Sequence, residues 1–324
     1  MGRYLIRRTM FLLLVLWIVS VVTFLIFVKL PPGDPARRAT AGHGVSAQQI
    51  EDARHAFGLD KPVLVQYARF AKGLVPCCGW WMNPEVYFSY GSNIPVWEQI
   101  TARLPVSIVL GVGAAVLWLL MGIPIGIISA IKRRSWVDRA SMLFALIGVS
   151  APVFWLALIF LYVFWFKLHW LPGSGIPVNE GLVKAVLTGR FLMPWTVLSL
   201  TFAAFYARMV RGNLIETMGE DYIRTARAKG LSERTVIFHH GLRSALTPVV
   251  TMFGLDLGIL LGGAFITETV FNLPGVGKLA VKSIFRADFP MVMGITVFGA
   301  IFIVVANLVV DVAYAFLDPR VRYT

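Results

Sequence analysis

The run Glu220–Pro248, EDYIRTARAKGLSERTVIFHHGLRSALTP, is an island of charge between two long apolar segments. Local signals divide it into short helices. Glu220 and Arg224 stand one turn apart as a favourable i,i+4 pair. Gly230 supplies the left-handed residue that commonly ends a helix. Ser232 followed by Glu233 reads as an N-cap with an acid in the next first turn. Thr247 is expected to cap a further helix, with Pro248 in its first position. Two short helices meeting at an angle beside a membrane make a knob on which another protein can dock.

The segments flanking the island place the chain in a bilayer. Of 324 residues, 57% are hydrophobic and only 15% charged, which is too apolar for an ordinary soluble domain. The expected class is an all-α integral membrane protein with six transmembrane helices. They run about Met10–Val28, Val106–Ile131, Ser141–Phe166, Phe191–Tyr206, Val249–Val270 and Met291–Leu317, each matched to a hydrocarbon core of about 30 Å.

Charge sets the orientation. Arg3, Arg7 and Arg8 precede the first span, Lys132, Arg133, Arg134 and Arg139 fill the turn between the second and third, and Arg208, Arg211, Arg224, Arg227, Lys229, Arg234 and Arg243 crowd the loop after the fourth. Basic residues concentrate in cytoplasmic loops, so both termini and the island face the cytoplasm, with Arg320 and Arg322 at the tail. The same rule accounts for the net charge of +13 without a nucleic-acid partner. The first apolar run exceeds a signal-peptide h-region and is expected to be retained. The chain thus divides into residues 1–30 (cytoplasmic N-terminus and first span), 31–104 (an extracytoplasmic segment with a helix near Ser46–Phe57) and 105–324 (a five-helix core containing the cytoplasmic loop 208–247).

Few residues promise chemistry. Gly275-Val276-Gly277-Lys278 fails as a Walker A loop, because Asn272 stands where its first glycine belongs and Leu279 where Ser or Thr belongs. No GxSxG or HExxH occurs, so uphill transport driven by ATP would need another subunit to hydrolyse it. His239 and His240, neighbours pointing roughly 100° apart on a helix, read as surface histidines rather than ligands. Cys77 and Cys78, with adjacent Cα atoms about 3.8 Å apart, read as free thiols. Asp256 and Asp311 lie inside spans, where ionisable groups usually face a cavity or a partner. Asp256 either lines a pathway or pairs across helices. Glu268 is expected near the outer surface in water, Asp311 to cap or pair near the inner one, and Gly258, Gly262 and Gly263 to permit close helix packing.

With these residues in hand, the chain resembles a membrane permease subunit of an ATP-binding-cassette importer, of the dipeptide and oligopeptide type. That superfamily's cytoplasmic loop reads Glu-Ala-Ala, three residues, Gly, nine residues, Ile-x-Leu-Pro. Here Ala226 and Gly230 match, Arg224-Thr225 replace Glu-Ala, and His240-Gly241-Leu242-Arg243 replace the end. Further likenesses are Pro32-Gly33-Asp34-Pro35, Phe57-Gly58-Leu59-Asp60-Lys61-Pro62 with Gln66-Tyr67, Arg103-Leu104-Pro105, Pro152-Val153-Phe154-Trp155, Leu171-Pro172-Gly173-Ser174-Gly175, Glu268-Thr269-Val270-Phe271 with Pro274-Gly275, and Leu317-Asp318-Pro319-Arg320. The segment from Val75 to Tyr87 fits least.

The resemblance implies a type I importer permease in a bacterial or archaeal cytoplasmic membrane, surrounded by lipid and without catalytic activity. Its implied partners are a second homologous permease, cytoplasmic ATPases that use ATP and Mg, and an extracytoplasmic binding protein that delivers peptide. This chain would carry no cofactor or metal. Arg224, Thr225, Ala226, Arg227, Ala228, Lys229, Gly230, Leu231 and Ser232 would seat in a cleft of one ATPase. Similar permeases serve nickel, glutathione, opine or sugar importers. A self-sufficient secondary transporter is the alternative of a different class, and it would want an internal repeat or ion-coupling charges.

Overall fold

The computed structural model describes residues 2–29, 48, 51, 54–55, 60–74, 82, 89, 94–177 and 179–317. The helix expected near Ser46–Phe57 lies largely outside them, as do Cys77, Cys78, Arg320, Arg322 and the side chain of Asp311. Among the described residues the architecture is helical throughout.

Helix α1 (Gly2–Phe24) ends in a π-helical turn, Leu25–Lys29. Helix α2 (Val63–Leu74) lies against it: Phe24 meets Tyr67 and Phe70, and the Tyr67 hydroxyl bonds Ser20 Oγ at 2.9 Å. Helix α3 (Val96–Ile131) starts well before the expected Val106, so the domain boundary expected at residue 104 falls inside it. Its 36 residues reach about 54 Å, and Pro105 and Pro124 are accommodated within it. Its early turns are helical because they have something to bury: Val96 and Ile100 pack with Met291, Ile295 and Phe298, in a second core apart from the main one.

The third expected span is a bent pair. Helix α4 (Trp136–Ser150) and helix α5 (Val153–Phe160, continuing through a π-helical stretch, Leu161–Lys167) diverge by 101°. Pro152 disfavours helical backbone at Ala151, which is extended at φ −78° and ψ 123°. The span expected across Ser141–Phe166 is thus formed by two helices joined at a proline.

Helix α6 (Leu182–Leu187) follows in a loop clamped by Glu180, which accepts hydrogen bonds from Arg190 and from Thr188 Oγ1. Helix α7 (Leu192–Thr217) contains the fourth expected span and extends eleven residues past Tyr206. Its packing against α3 is the most extensive helix contact among the described residues. Gly126 of α3 is required there, because a Cβ would come within 2.7 Å of the Ala207 carbonyl oxygen. Trp118, Leu110, Phe191, Val197 and Tyr206 form the centre of the main core.

The island holds α8 (Asp221–Ala228), α9 (Glu233–Thr235), a π-helical stretch (Val236–Gly241) and α10 (Leu242–Ala245). Helix α11 (Thr247–Leu261) returns through the bundle. Its N-cap is Leu246 rather than Thr247, whose hydroxyl instead bonds back to the Arg243 carbonyl. Helices α12 (Phe265–Val270) and α13 (Val276–Phe285) form a hairpin before the last helix, α14 (Phe289–Leu317). Gly258 faces Ala306 and Gly262 faces Gly299, the close α11–α14 packing expected of them.

Four segments are long and apolar enough to cross a membrane by length and composition: Ile6–Val28, Val96–Ile131, Thr247–Val270 and Phe289–Val309. The bent α4–α5 pair makes a fifth if it counts as one span. The remaining expected span falls on α7, 26 residues long, which buries Ser199 and Thr217 and carries Arg208 and Arg211.

Candidate functional site

The knob is built around a helix stop. Gly230 sits at φ +75°, in the left-handed region. The Leu231 amide bonds the Ala226 carbonyl at 3.3 Å and the Gly230 amide bonds that of Arg227 at 2.9 Å, which is the paired closure of a Schellman motif. Ser232 Oγ then accepts from the Thr235 amide, an N-cap as expected. Arg227 donates to both oxygens of Glu233 at 2.7 and 3.3 Å, bracing one helix against the next across the glycine. That bond favours the charged guanidinium and raises the pKa of Arg227 further.

Burial sorts the predicted coupling residues into two groups. Ile223, Ala226 and Val236 are buried together against Met218, giving the knob a small core of its own. Ala226 therefore turns inward and does not contribute to the outer profile. Arg224, Thr225, Arg227, Ala228, Lys229, Gly230, Leu231 and Ser232 are exposed. The expected Glu220–Arg224 pair is replaced by Arg224 with Asp221 at 3.4 Å, because Glu220 is the extended N-cap residue and lies outside the helix. The Tyr222 hydroxyl meets Ser244 Oγ at 3.0 Å and ties α8 to α10. His239 is exposed and stands edge to face with His240, ring centroids 5.0 Å apart.

A polar bolt joins the knob to the spans. Arg211, which the sequence placed with the free cytoplasmic cations, lies inside α7 and donates to both oxygens of Asp138 at 2.6 and 2.9 Å. Asp138 also accepts from Ser129 Oγ at 2.6 Å and from the Arg134 amide at 2.8 Å. One buried carboxylate thus fastens the knob-side ends of α3, α4 and α7 together, immediately before α7 leads into the knob. Between this bolt and the knob runs a groove of about 400 Å³ bordered by Ile131, Arg133, Leu214, Met218, Arg227 and Ile237.

A second lock sits at the opposite end. Glu268, expected in water, is fully buried. Its carboxylate accepts from Ser107 Oγ at 2.8 Å and from the Lys278 amide at 2.9 Å, while Ser107 Oγ accepts from the Val276 amide at 2.9 Å. Gly275 and Gly277 crowd this carboxylate so closely that neither position has room for a side chain. Asp256 is the remaining predicted site residue. It is half-buried in α11 and accepts from the Tyr206 hydroxyl of α7 at 2.7 Å.

The described residues form a helical bundle with a braced knob, and comparison with known proteins shows the family to which it belongs. Residues 122–323 match the family described as binding-protein-dependent transport system inner membrane component, and residues 1–111 match that system's N-terminal membrane component. The chain belongs to this family of ATP-binding-cassette importer permeases. It is 36% identical over 324 residues to a probable peptide ABC transporter permease protein of Sinorhizobium fredii, and 39% identical over 323 residues to the glutathione transport system permease protein of Escherichia coli, with 100% of each chain covered in both cases. A chain of the inward-facing MetNI methionine ABC transporter superposes with a TM-score of 0.53 at 18% identity, covering 68% of this chain and 97% of that one. An amino acid ABC transporter solved with histidines gives 0.50 at 15%, covering 69% and 94%. These two share the fold. The protein is therefore a multi-pass inner-membrane permease subunit without catalytic activity, of a family that works with a separate ATPase and a substrate-binding protein.

Proposed function

We propose that the chain forms half of a translocation path for short peptides, paired with a second, homologous permease, and that residues 220–247 receive the stroke of a separate ATPase that uses ATP and Mg. The observation that carries the coupling role is the knob itself: a self-supported helix pair, braced by Arg227–Glu233, whose outer face presents Arg224, Lys229 and Leu231. Rigid elements transmit displacement, and the Asp138–Arg211 bolt makes three helix ends one body with the knob. The peptide-permease relative supports peptide as cargo. The glutathione relative favours a second reading, in which the cargo is that one tripeptide.

Uptake of labelled di- and tripeptides and of labelled glutathione, in cells with and without this chain, separates the two. Peptide uptake lost on deletion supports the first, and loss confined to glutathione supports the second. The knob is tested by Gly230→Trp. A Cβ at Gly230 meets nothing within 4 Å, so the bulk projects from the docking face. The left-handed backbone costs a non-glycine residue only about 1–2 kcal/mol. The variant is expected to insert and fold but to lose uptake, with the ATPase no longer co-purifying. Normal uptake would remove the coupling assignment.

A further inference from the structure

Asp256 is a half-buried carboxylate away from either end of its helix. It lies nine residues into α11, roughly 14 Å from the cytoplasmic start of that helix and so near the middle of a hydrocarbon layer of about 30 Å. Tyr206, eleven residues before the cytoplasmic end of α7, is at matching depth. Asp138 and Glu268, by contrast, are each held by several donors: Asp138 by Arg211, Ser129 and a backbone amide, Glu268 by Ser107 and a backbone amide. Asp256 receives one hydrogen bond, from Tyr206, and belongs to no ion pair found among the described residues. It is also half open, whereas Tyr206 is wholly buried.

A carboxylate at that depth does not face lipid. The helix carrying it is already packed by α14 through Gly258 and by α3 through Leu260, and α7 holds the carboxylate itself through Tyr206. Tyr206 is in turn fixed by Trp118, which stacks on Phe202 with ring centroids 4.6 Å apart and stands 6.0 Å from both Tyr206 and Phe253. Trp118 is itself wholly buried, so the support behind Tyr206 is a packed aromatic cluster. The result is one oriented negative charge with an open side, held from behind.

Resting on the reading of the chain as a peptide permease, we propose that Asp256, positioned by Tyr206, is a charge-selecting residue on the translocation path that favours peptides bearing a cationic side chain. Moving a positive charge through a low-dielectric interior is costly, and a fixed carboxylate at mid-depth offsets that cost for cationic cargo while offering nothing to neutral cargo.

The test uses the complete transporter in proteoliposomes and two labelled tripeptides, identical except for lysine or norleucine at the central position, each saturating the binding protein. The readout is the ratio of lysine-peptide to norleucine-peptide uptake, so that effects common to both cancel. Asp256→Asn is expected to lower the ratio about tenfold, the loss of one charge-assisted contact. Tyr206→Phe keeps the ring and removes the bond, and should lower it less. Asp256→Glu should restore most of it. An unchanged ratio in Asp256→Asn overturns the proposal. So does loss of the second permease from the purified complex in that variant, which would make Asp256 a subunit-pairing residue. Wild-type transporter that moves neither tripeptide overturns the peptide reading itself, whatever the variants do.

Discussion

Asp138→Ala is expected to destabilise the permease by about 3 kcal/mol and to uncouple ATP hydrolysis from uptake. The stability loss follows from what remains behind. Arg211 keeps its charge in a site where its side chain is only 25% exposed, while Ser129 Oγ and the Arg134 amide lose their acceptor. Removing one member of a buried pair typically costs about 3–5 kcal/mol, and the partial exposure of Arg211 places this case at the lower end. Thermal unfolding of the detergent-purified transporter measures it.

The uncoupling needs a separate argument, since any destabilised variant transports less. Replacing both members with apolar residues, Asp138→Leu with Arg211→Met, removes the unpaired charge and should recover most of the stability. It does not restore the bidentate link between α4 and α7. The double variant is therefore expected to hydrolyse ATP in the presence of loaded binding protein while moving fewer peptides per ATP. Wild-type peptide-to-ATP stoichiometry in the double variant would show that the bolt is structural only.

What was legible in the sequence follows the range of each interaction. Gly230 and Ser232 were readable because a helix stop and an N-cap are decided within four or five residues. The apolar spans were readable because a bilayer demands long uninterrupted runs. Pro152 was also a local signal, but hydropathy runs straight across it, and the 101° bend was missed for that reason. Helix α3 starts ahead of the expected span at Val106 because tertiary burial of Val96 and Ile100 extends it outward. Ala226 had a readable cue as well: Ile223 and Ala226 are three apart on one helical face, the spacing of a buried pair.

The polar locks could not be read at all. Arg211 lies 73 residues from Asp138, and Glu268 161 residues from Ser107. Nothing in local propensity distinguishes an arginine that pairs in the bundle from one that faces water, so charge counting assigned Arg211 to the loop. The π-helical stretch Val236–Gly241 likewise had no sequence signal, though it lies in the second half of the knob, between its glycine stop and the helix that re-enters the bundle.

Glu268 gives the other large effect, and here the size should depend on which atoms are replaced. Glu268→Ala removes both acceptors and most of a fully buried side chain, stranding the Lys278 amide and the Ser107 hydroxyl. Stranded buried donors cost about 1–3 kcal/mol each, so a loss of about 3 kcal/mol or more is expected. Glu268→Gln keeps the shape. Its amide oxygen can still accept from Lys278 N, and its NH₂ can donate to Ser107 Oγ, which already accepts from the Val276 amide and has a second lone pair. The serine proton and the second amide proton are left without acceptors, and the expected loss is about 2 kcal/mol, still below that of the alanine variant. The damage is also local, because these bonds close the α12–α13 hairpin onto α3. Hydrogen exchange at the Val276 and Lys278 amides should accelerate strongly in Glu268→Ala and slightly in Glu268→Gln, while the knob amides Gly230 and Leu231 stay as protected as in wild type. Equal acceleration at both ends of the bundle would mean that Glu268 supports the whole fold rather than one hairpin. No acceleration in Glu268→Ala would mean that the glycine-lined packing around the carboxylate holds the hairpin without it.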